Sequence, residues 1–340
     1  MFDDSNCANC EGIDCLMRCQ WIEFDGVDDA RAEMLKMIDN EQSRVLSECI
    51  TCFACDEYCP YDSHPFDLIT ILQEKYESLD VNEAQRQRTV MMYKPHDEFK
   101  PWDGIDPNKP TLNKCAFIKT NAEDMKGQMF DDLQYVGGRD FFCNLLYHHM
   151  ARDSVIRERA PQILENIEKQ GIQDMICFHD ECYGFYSSYC PRNNIELPKG
   201  FNPIHVFEYV YNYLEDHESD IEKLNIKAAY QRNCSTRFMP EIEEYVDKIC
   251  YLIGVERVKR EYDRENALCC GGALVGLGKK KLMRETQKKN IQDMLDHDAE
   301  VVFYNCPMCM EIMGSKVERS GLKNYLLTNL CRKALGEDID

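Results

Sequence analysis

From about residue 115 onward, short apolar runs alternate with helical stretches. QDMICF (173–178) follows the helical ILENIEKQG, AEVVFYN (299–305) follows IQDMLDHD, and KAAYQRN (227–233) leads into Cys234. Brief buried runs between helices predict parallel α/β structure, with chemistry gathered at the carboxyl ends of the strands. The first 95 residues read differently. Ala30, Met34, Leu35, Ile38 and Leu46 recur at helical spacing, and residues 28–48 lack Gly and Pro, which predicts one helix over that stretch. Phe66–Tyr76 predicts a second. Residues 94–114 carry four prolines and no clear periodicity, the mark of a connector.

The α/β portion is internally repeated. Cys270 and the Cys306-Pro307-Met308-Cys309 loop are separated by 35 residues, as are Cys143 and the His179-Asp180-Glu181-Cys182 loop. An offset of 127 therefore carries Cys143 onto Cys270, His179 onto Cys306 and Cys182 onto Cys309. Cys115 takes the part of Cys234, and Phe142 stands in the place of Cys269. The expected fold class is mixed: an N-terminal α-helical domain (1–95), a linker (96–112) and two homologous α/β lobes related by pseudo-symmetry. The first lobe (113–222) is the degenerate copy and the second (223–335) the complete one.

Cysteine usage changes the picture most. The 340 residues include 20 cysteines. The chain opens MFDDSNCANC, which is acidic with no apolar signal region, and no apolar run approaches the roughly 18 residues of a membrane span. The expectation is a cytoplasmic protein whose thiols are metal ligands and not a disulfide framework. A net charge of −21 excludes a nucleic-acid partner, which needs a basic face. Residues 1–60 hold 14 acidic against four basic side chains, whereas 251–290 hold five against ten. The basic run Lys279, Lys280, Lys281, Lys288 and Lys289 reads as a solvated helix face, or else as an anion-attracting or docking surface.

Cys49, Cys52, Cys55 and Cys59-Pro60 follow the bacterial ferredoxin spacing, proline included. Cys7, Cys10, Cys15 and Cys19 are a looser version with a longer middle gap and Gln20 in the place of the proline. Three cysteines at intervals of three wrap one cubane, and the fourth reaches a second. Cross-ligation assigns Cys7, Cys10, Cys15 and Cys59 to one [4Fe–4S] cluster and Cys49, Cys52, Cys55 and Cys19 to the other. A pair of structural zinc knuckles is the competing reading, against which the Cys-Pro ending weighs.

The second lobe assembles five thiols: Cys234, the adjacent Cys269 and Cys270, then Cys306 and Cys309. A four-ligand zinc site leaves one over. Gly271 and Gly272 allow close backbone approach, although a tight turn explains them equally well. Cys115, Cys143, His179 and Cys182 are either a Cys3His zinc or further cluster site, or remnants, with His148 and His149 as ordinary polar or core residues. Cys177, Cys190, Cys250 and Cys331 fit no motif and read as buried, hydrophobe-like thiols.

These residues carry a resemblance. Cys234, Cys269-Cys270-Gly271 and Cys306-x-x-Cys309 resemble the CCG domain of the heterodisulfide reductase catalytic subunit. The two-cluster segment before them is similar to that enzyme's small iron–sulfur subunit, as if the two were fused. The resemblance implies a noncubane [4Fe–4S] cluster on Cys234, Cys269, Cys270, Cys306 and Cys309, with Cys269, Cys270 and Cys306 as its catalytic face. It also implies electron relay through the two cubanes to cleave or form a disulfide. The resemblance departs from the family's pattern in the first lobe, where the motif is incomplete. With one complete motif the chain also resembles electron-transfer subunits of glycolate, lactate and fumarate/succinate oxidoreductases. These imply a flavoprotein partner, or a hydrogenase or formate dehydrogenase. No GxGxxG fingerprint follows a strand, so a flavin is expected on the partner.

Overall fold

A computed structural model describes residues 2–7, 10–117 and 123–339. Two four-stranded parallel sheets form its α/β part. The first contains β1 (Thr111–Asn113), β2 (Gln134–Val136), β3 (Asp174–Cys177) and β4 (Asn202–His205) in the order β2-β1-β3-β4. The second contains β5 (Ile226–Gln231), β6 (Val255–Arg257), β7 (Val301–Tyr304) and β8 (Lys323–Leu326) in the order β6-β5-β7-β8. Both sheets thus have the same strand order. Their central strands are largely buried because parallel strands are covered on both faces. Val301, Val302, Phe303 and Tyr304 are all buried, and Tyr230 stacks on its register partner Phe303 at 4.9 Å.

Each central strand ends at a cysteine or histidine loop. β1 leads to Cys115, β3 to His179, β5 to Cys234 and β7 to Cys306. Because β1 pairs with β3 and β5 with β7, each pair of loops emerges side by side. Cys306 is the N-cap of helix Pro307–Arg319, whose first residue is the favoured proline, and Cys309 lies in its first turn. His179 caps helix Asp180–Gly184 in the same way, with Cys182 in the first turn.

Residues 2–95 form helices and, among the described residues, no strand. Leu16, Met34, Met37, Leu46, Phe53, Phe66, Ile69 and Leu72 make their core. The single helix expected over 28–48 is two helices, Val27–Ile38 and Arg44–Glu48. Asn40 takes positive φ beyond the first, and buried Glu33 reaches forward to accept from Ser43 Oγ (2.7 Å) and Arg44 N (3.1 Å). Satisfying the second helix's N-terminus in this way outweighs the continuous helical pattern. The proline-rich connector is anchored. Phe99 and Trp102 pack edge-on against Phe141, and Gln170 bonds both the N–H and the C=O of Trp102. β1 starts at Thr111, inside the stretch read as connector.

Buried ion pairs dock the helical segment on the second sheet. Arg232 makes a two-pronged bond to Glu57 (2.8 Å each), which also accepts from Arg237 (2.8 Å). Tyr58 Oη donates to the Glu265 carbonyl at 2.7 Å. Among the described residues no helix is long and apolar enough to cross a membrane.

Candidate iron–sulfur and thiol site

The N-terminal cysteines fall into two groups. Cys7, Cys10, Cys15 and Cys59 line one small pocket beside Pro60 and Met34. Burial pushes the Cys15 thiol up, and the neighbouring Cys59, Cys7 and Cys10 add to it. Cys19 lies with the other set. Burial and then Cys52 push it up to about 11, and Cys49, beside Cys52 and Cys19, goes up to about 12. Thiols crowded in this way keep their protons unless a cation offsets the charge, since each thiolate would repel the next. Two backbone N–H groups already point at sulfur: Thr51 N to Cys49 (3.2 Å) and Ser63 N to Cys59 (3.4 Å).

The five second-lobe thiols converge on one cavity of about 340 Å³ between the two sheets. Cys269 and Cys309 hydrogen-bond to the Cys270 sulfur, which holds Cys270 well below the usual thiol range. Cys309, with His179 beside it, outweighs burial and brings Cys306 down to about 6. Gly271 N and Gly272 N lie 3.3 and 3.4 Å from the sulfurs of Cys269 and Cys270. Burial pushes Cys234 up instead, and the neighbouring sulfurs together with burial push up Cys269 and Cys309. It is therefore the backbone N–H groups aimed at sulfur and the all-sulfur donor set that suit a thiolate-held iron–sulfur group.

The cavity wall is mostly apolar, including Val81, Phe117, Phe142, Leu146, Met150, Val275, Met308 and Ile312. The Lys279–Lys281 run does not line it. Lys279 reaches the carbonyls of Ser47 and Glu48, and Lys281 lies exposed beside Glu285. An acidic thiol therefore finds no lysine cradle here.

In the first lobe the sulfurs of Cys115, Cys143 and Cys182 all lie within 4.8 Å of one another. Among the described residues no other group of His, Cys, Asp or Glu is drawn together so tightly. A single zinc ion with bonds of about 2.3 Å needs that closeness, whereas a four-iron cluster holds its sulfurs wider apart. His179 is not the fourth member of this set. Its Nε2 lies 3.1 Å from the sulfur of Cys306, in the other lobe, while its Nδ1 faces Glu181 N at 3.3 Å. Capping its own helix turns the ring away from its neighbours in sequence. Cys177, Cys190, Cys250 and Cys331 are buried, as expected.

Three residues of the site carried no motif. His149 stands between the helical segment and the nest, with Nδ1 2.7 Å from Thr51 Oγ1 and Nε2 3.7 Å from the Cys234 sulfur. Burial, with His148 beside it, holds His149 down to about 4. Its neighbour His148 is a core residue bonded to Asp153 at 3.2 Å. Asp180, fully buried in the first lobe, accepts from His205 (2.7 Å), Asn233 (2.8 Å) and Asn305 (2.8 Å). It thereby fixes the residues before Cys234 and Cys306. Burial opposes its charge, but His205 and Asn233 outweigh burial and hold the carboxyl below its usual range. Glu181 lines the cavity, and burial pushes it up to about 7. Only the 127-residue offset hinted at His179, and nothing in the local sequence marked His149.

Comparison with known proteins fits this geometry. No curated protein matches the chain. Among solved structures, a hypothetical protein from Helicobacter pylori aligns at 10% identity and a TM-score of 0.57, over 87% of this chain and 64% of that one. This likeness is one of fold, and the present chain spans less than two thirds of that protein's length. Glutamate racemases from Bacillus anthracis (10% identity, TM-score 0.35, 66% of this chain and 77% of that one) and Francisella tularensis (13%, 0.34, 68% and 81%) align more weakly. Residues 228–313, which contain all five second-lobe thiols, match the CCG cysteine-rich domain, the domain type found in heterodisulfide reductase subunits.

Proposed function

We propose that this chain is an iron–sulfur oxidoreductase subunit of the heterodisulfide reductase type. In this reading Cys7, Cys10, Cys15 and Cys59 hold one cubane, and Cys49, Cys52, Cys55 and Cys19 a second. Cys234, Cys269, Cys270, Cys306 and Cys309 hold a noncubane [4Fe–4S] cluster. Such clusters supply the one-electron steps into which a two-electron disulfide cleavage, or its reverse, is divided. One observation carries the reading: the five-thiol nest opens on a largely apolar cavity and abuts the second cubane's loop. Thr51, in that loop, bonds His149, whose other ring nitrogen faces the Cys234 sulfur.

The chain's own residues do the remaining work. The N–H groups of Gly271 and Gly272 steady the sulfurs of the cysteine pair. The largely apolar wall suits a thiol or disulfide with an apolar body. Cys115, Cys143 and Cys182 supply a separate three-thiolate site for zinc. We read the α/β part as a duplication, lobes 113–222 and 223–335, supported by the shared strand order. Electrons arrive from a flavoprotein or similar partner subunit.

Anaerobic purification with iron, sulfide and zinc counts, followed by EPR with and without a thiol, tests the proposal. The expected result is about twelve iron and about one zinc per chain, with a new paramagnetic species on adding thiol. About eight iron and no thiol-responsive signal removes the noncubane site. About twelve iron with no response to any thiol favours a pure electron-transfer subunit wiring one partner to another.

A further inference from the structure

We infer that His179 is a positioning residue of the second-lobe site, donating its Nε2–H to the Cys306 sulfur and so raising the reduction potential of the iron centre that Cys306 holds. This rests on the reading above and adds a determinant of that site drawn from the opposite lobe.

The proton's place follows from the two bonds of the ring. Glu181 N–H can only donate, so Nδ1, 3.3 Å away, accepts. The ring therefore carries a proton on Nε2, which sits 3.1 Å from Cys306 Sγ in a buried setting. Phe117 packs on the ring at 5.3 Å. The bond is therefore a fixed one, unlike a surface contact that solvent replaces.

His149 supplies the contrast. Thr51 Oγ1 donates to the Ile50 carbonyl at 2.6 Å, so toward His149 it accepts, and Nδ1 bears the proton. The bare Nε2 of His149 faces the Cys234 sulfur. Of the two histidines bordering the nest, His179 alone donates a hydrogen bond to sulfur. An N–H donor stabilises the more negative, reduced state, which moves the potential upward.

His179→Phe keeps a ring and removes the donor, while His179→Gln keeps an N–H. The test is a potentiometric EPR titration of each anaerobically purified protein, with iron and sulfide counted. His179→Phe is expected to lower the midpoint of the thiol-responsive centre without changing the iron count or the two N-terminal signals. His179→Gln is expected to restore most of the shift. An unchanged midpoint in His179→Phe at full iron content overturns the inference. Should that variant lose iron, the unaltered protein labelled with ¹⁵N at histidine decides. A ¹⁵N coupling at the thiol-responsive centre upholds the bond, and its absence overturns it. An iron count of about eight in the unaltered protein overturns the parent reading instead, so the two failures are distinct.

Discussion

Gly271 and Gly272 are adjacent, yet alanine at the two positions is expected to act in opposite directions. Gly271 has φ of +98°, and a Cβ there meets Met283 Cγ at 2.5 Å. An L-residue in the left-handed region costs about 1–2 kcal/mol, and displacing a packed side chain adds about 1–3 kcal/mol. Gly271→Ala should therefore destabilise the protein by about 2–5 kcal/mol. It also moves the N–H that lies on the Cys269 sulfur, so iron at the nest should fall with stability. Gly272 begins helix Gly272–Gly276, and its added Cβ meets only Cys270 Sγ at 3.6 Å, an ordinary contact. Gly272→Ala should be neutral or stabilising by up to about 1 kcal/mol, because alanine narrows the unfolded ensemble and favours helix. Anaerobic denaturant melts, paired with iron counts, read both effects. Equal losses in the two variants would refute the assignment of clearance to Gly271 alone.

Asp180→Ala should cost about 3–5 kcal/mol, since it leaves His205, Asn233 and Asn305 buried without their acceptor. Asp180→Asn keeps one oxygen but turns an NH2 toward a donor, so it should cost roughly 1–3 kcal/mol. Denaturant midpoints check the pair, and an asparagine variant as unstable as the alanine one contradicts the hub. Asp153 is held down to about 2, burial being outweighed by hydrogen bonds from His148 and Arg157. A depressed carboxyl stabilises the fold above its unfolded value near 3.8 and loses that contribution as pH falls through about 2. Asp153→Asn should therefore cost about 2 kcal/mol at neutral pH, with the difference shrinking below pH ~4 in parallel melts. A constant difference across that range counts against it.

Cysteine spacing determines much about this protein without help from the fold. Ligand intervals are local or periodic, so the ferredoxin runs, the five-thiol set and the 127-residue offset are all legible in the chain. So are β3, β5 and β7, because parallel strands buried on both faces are short and apolar, whereas β1, which delivers Cys115, lies in the stretch that reads as connector. The break at residues 39–43 was not legible. It depends on Glu33 bonding forward to Ser43 and Arg44, and apolar periodicity carries no trace of a buried polar cap. The connector's anchoring on Phe141 and Gln170 is likewise a packing result.

What the tertiary structure alone decided is which side chains face which sulfurs. Spacing placed His179 with Cys115, Cys143 and Cys182, but the side-chain cap on its own helix turns its ring across the lobe interface to Cys306. His149 and Asp180 reach the nest only because the lobes and the helical segment close on one another. Lys279–Lys281, close to the cysteine pair in sequence, point elsewhere. Sequence proximity fixes which donors a loop carries, whereas the direction of a side chain is set by what packs around it. The proposed ligands of this protein belong to the first kind of information and their environment to the second.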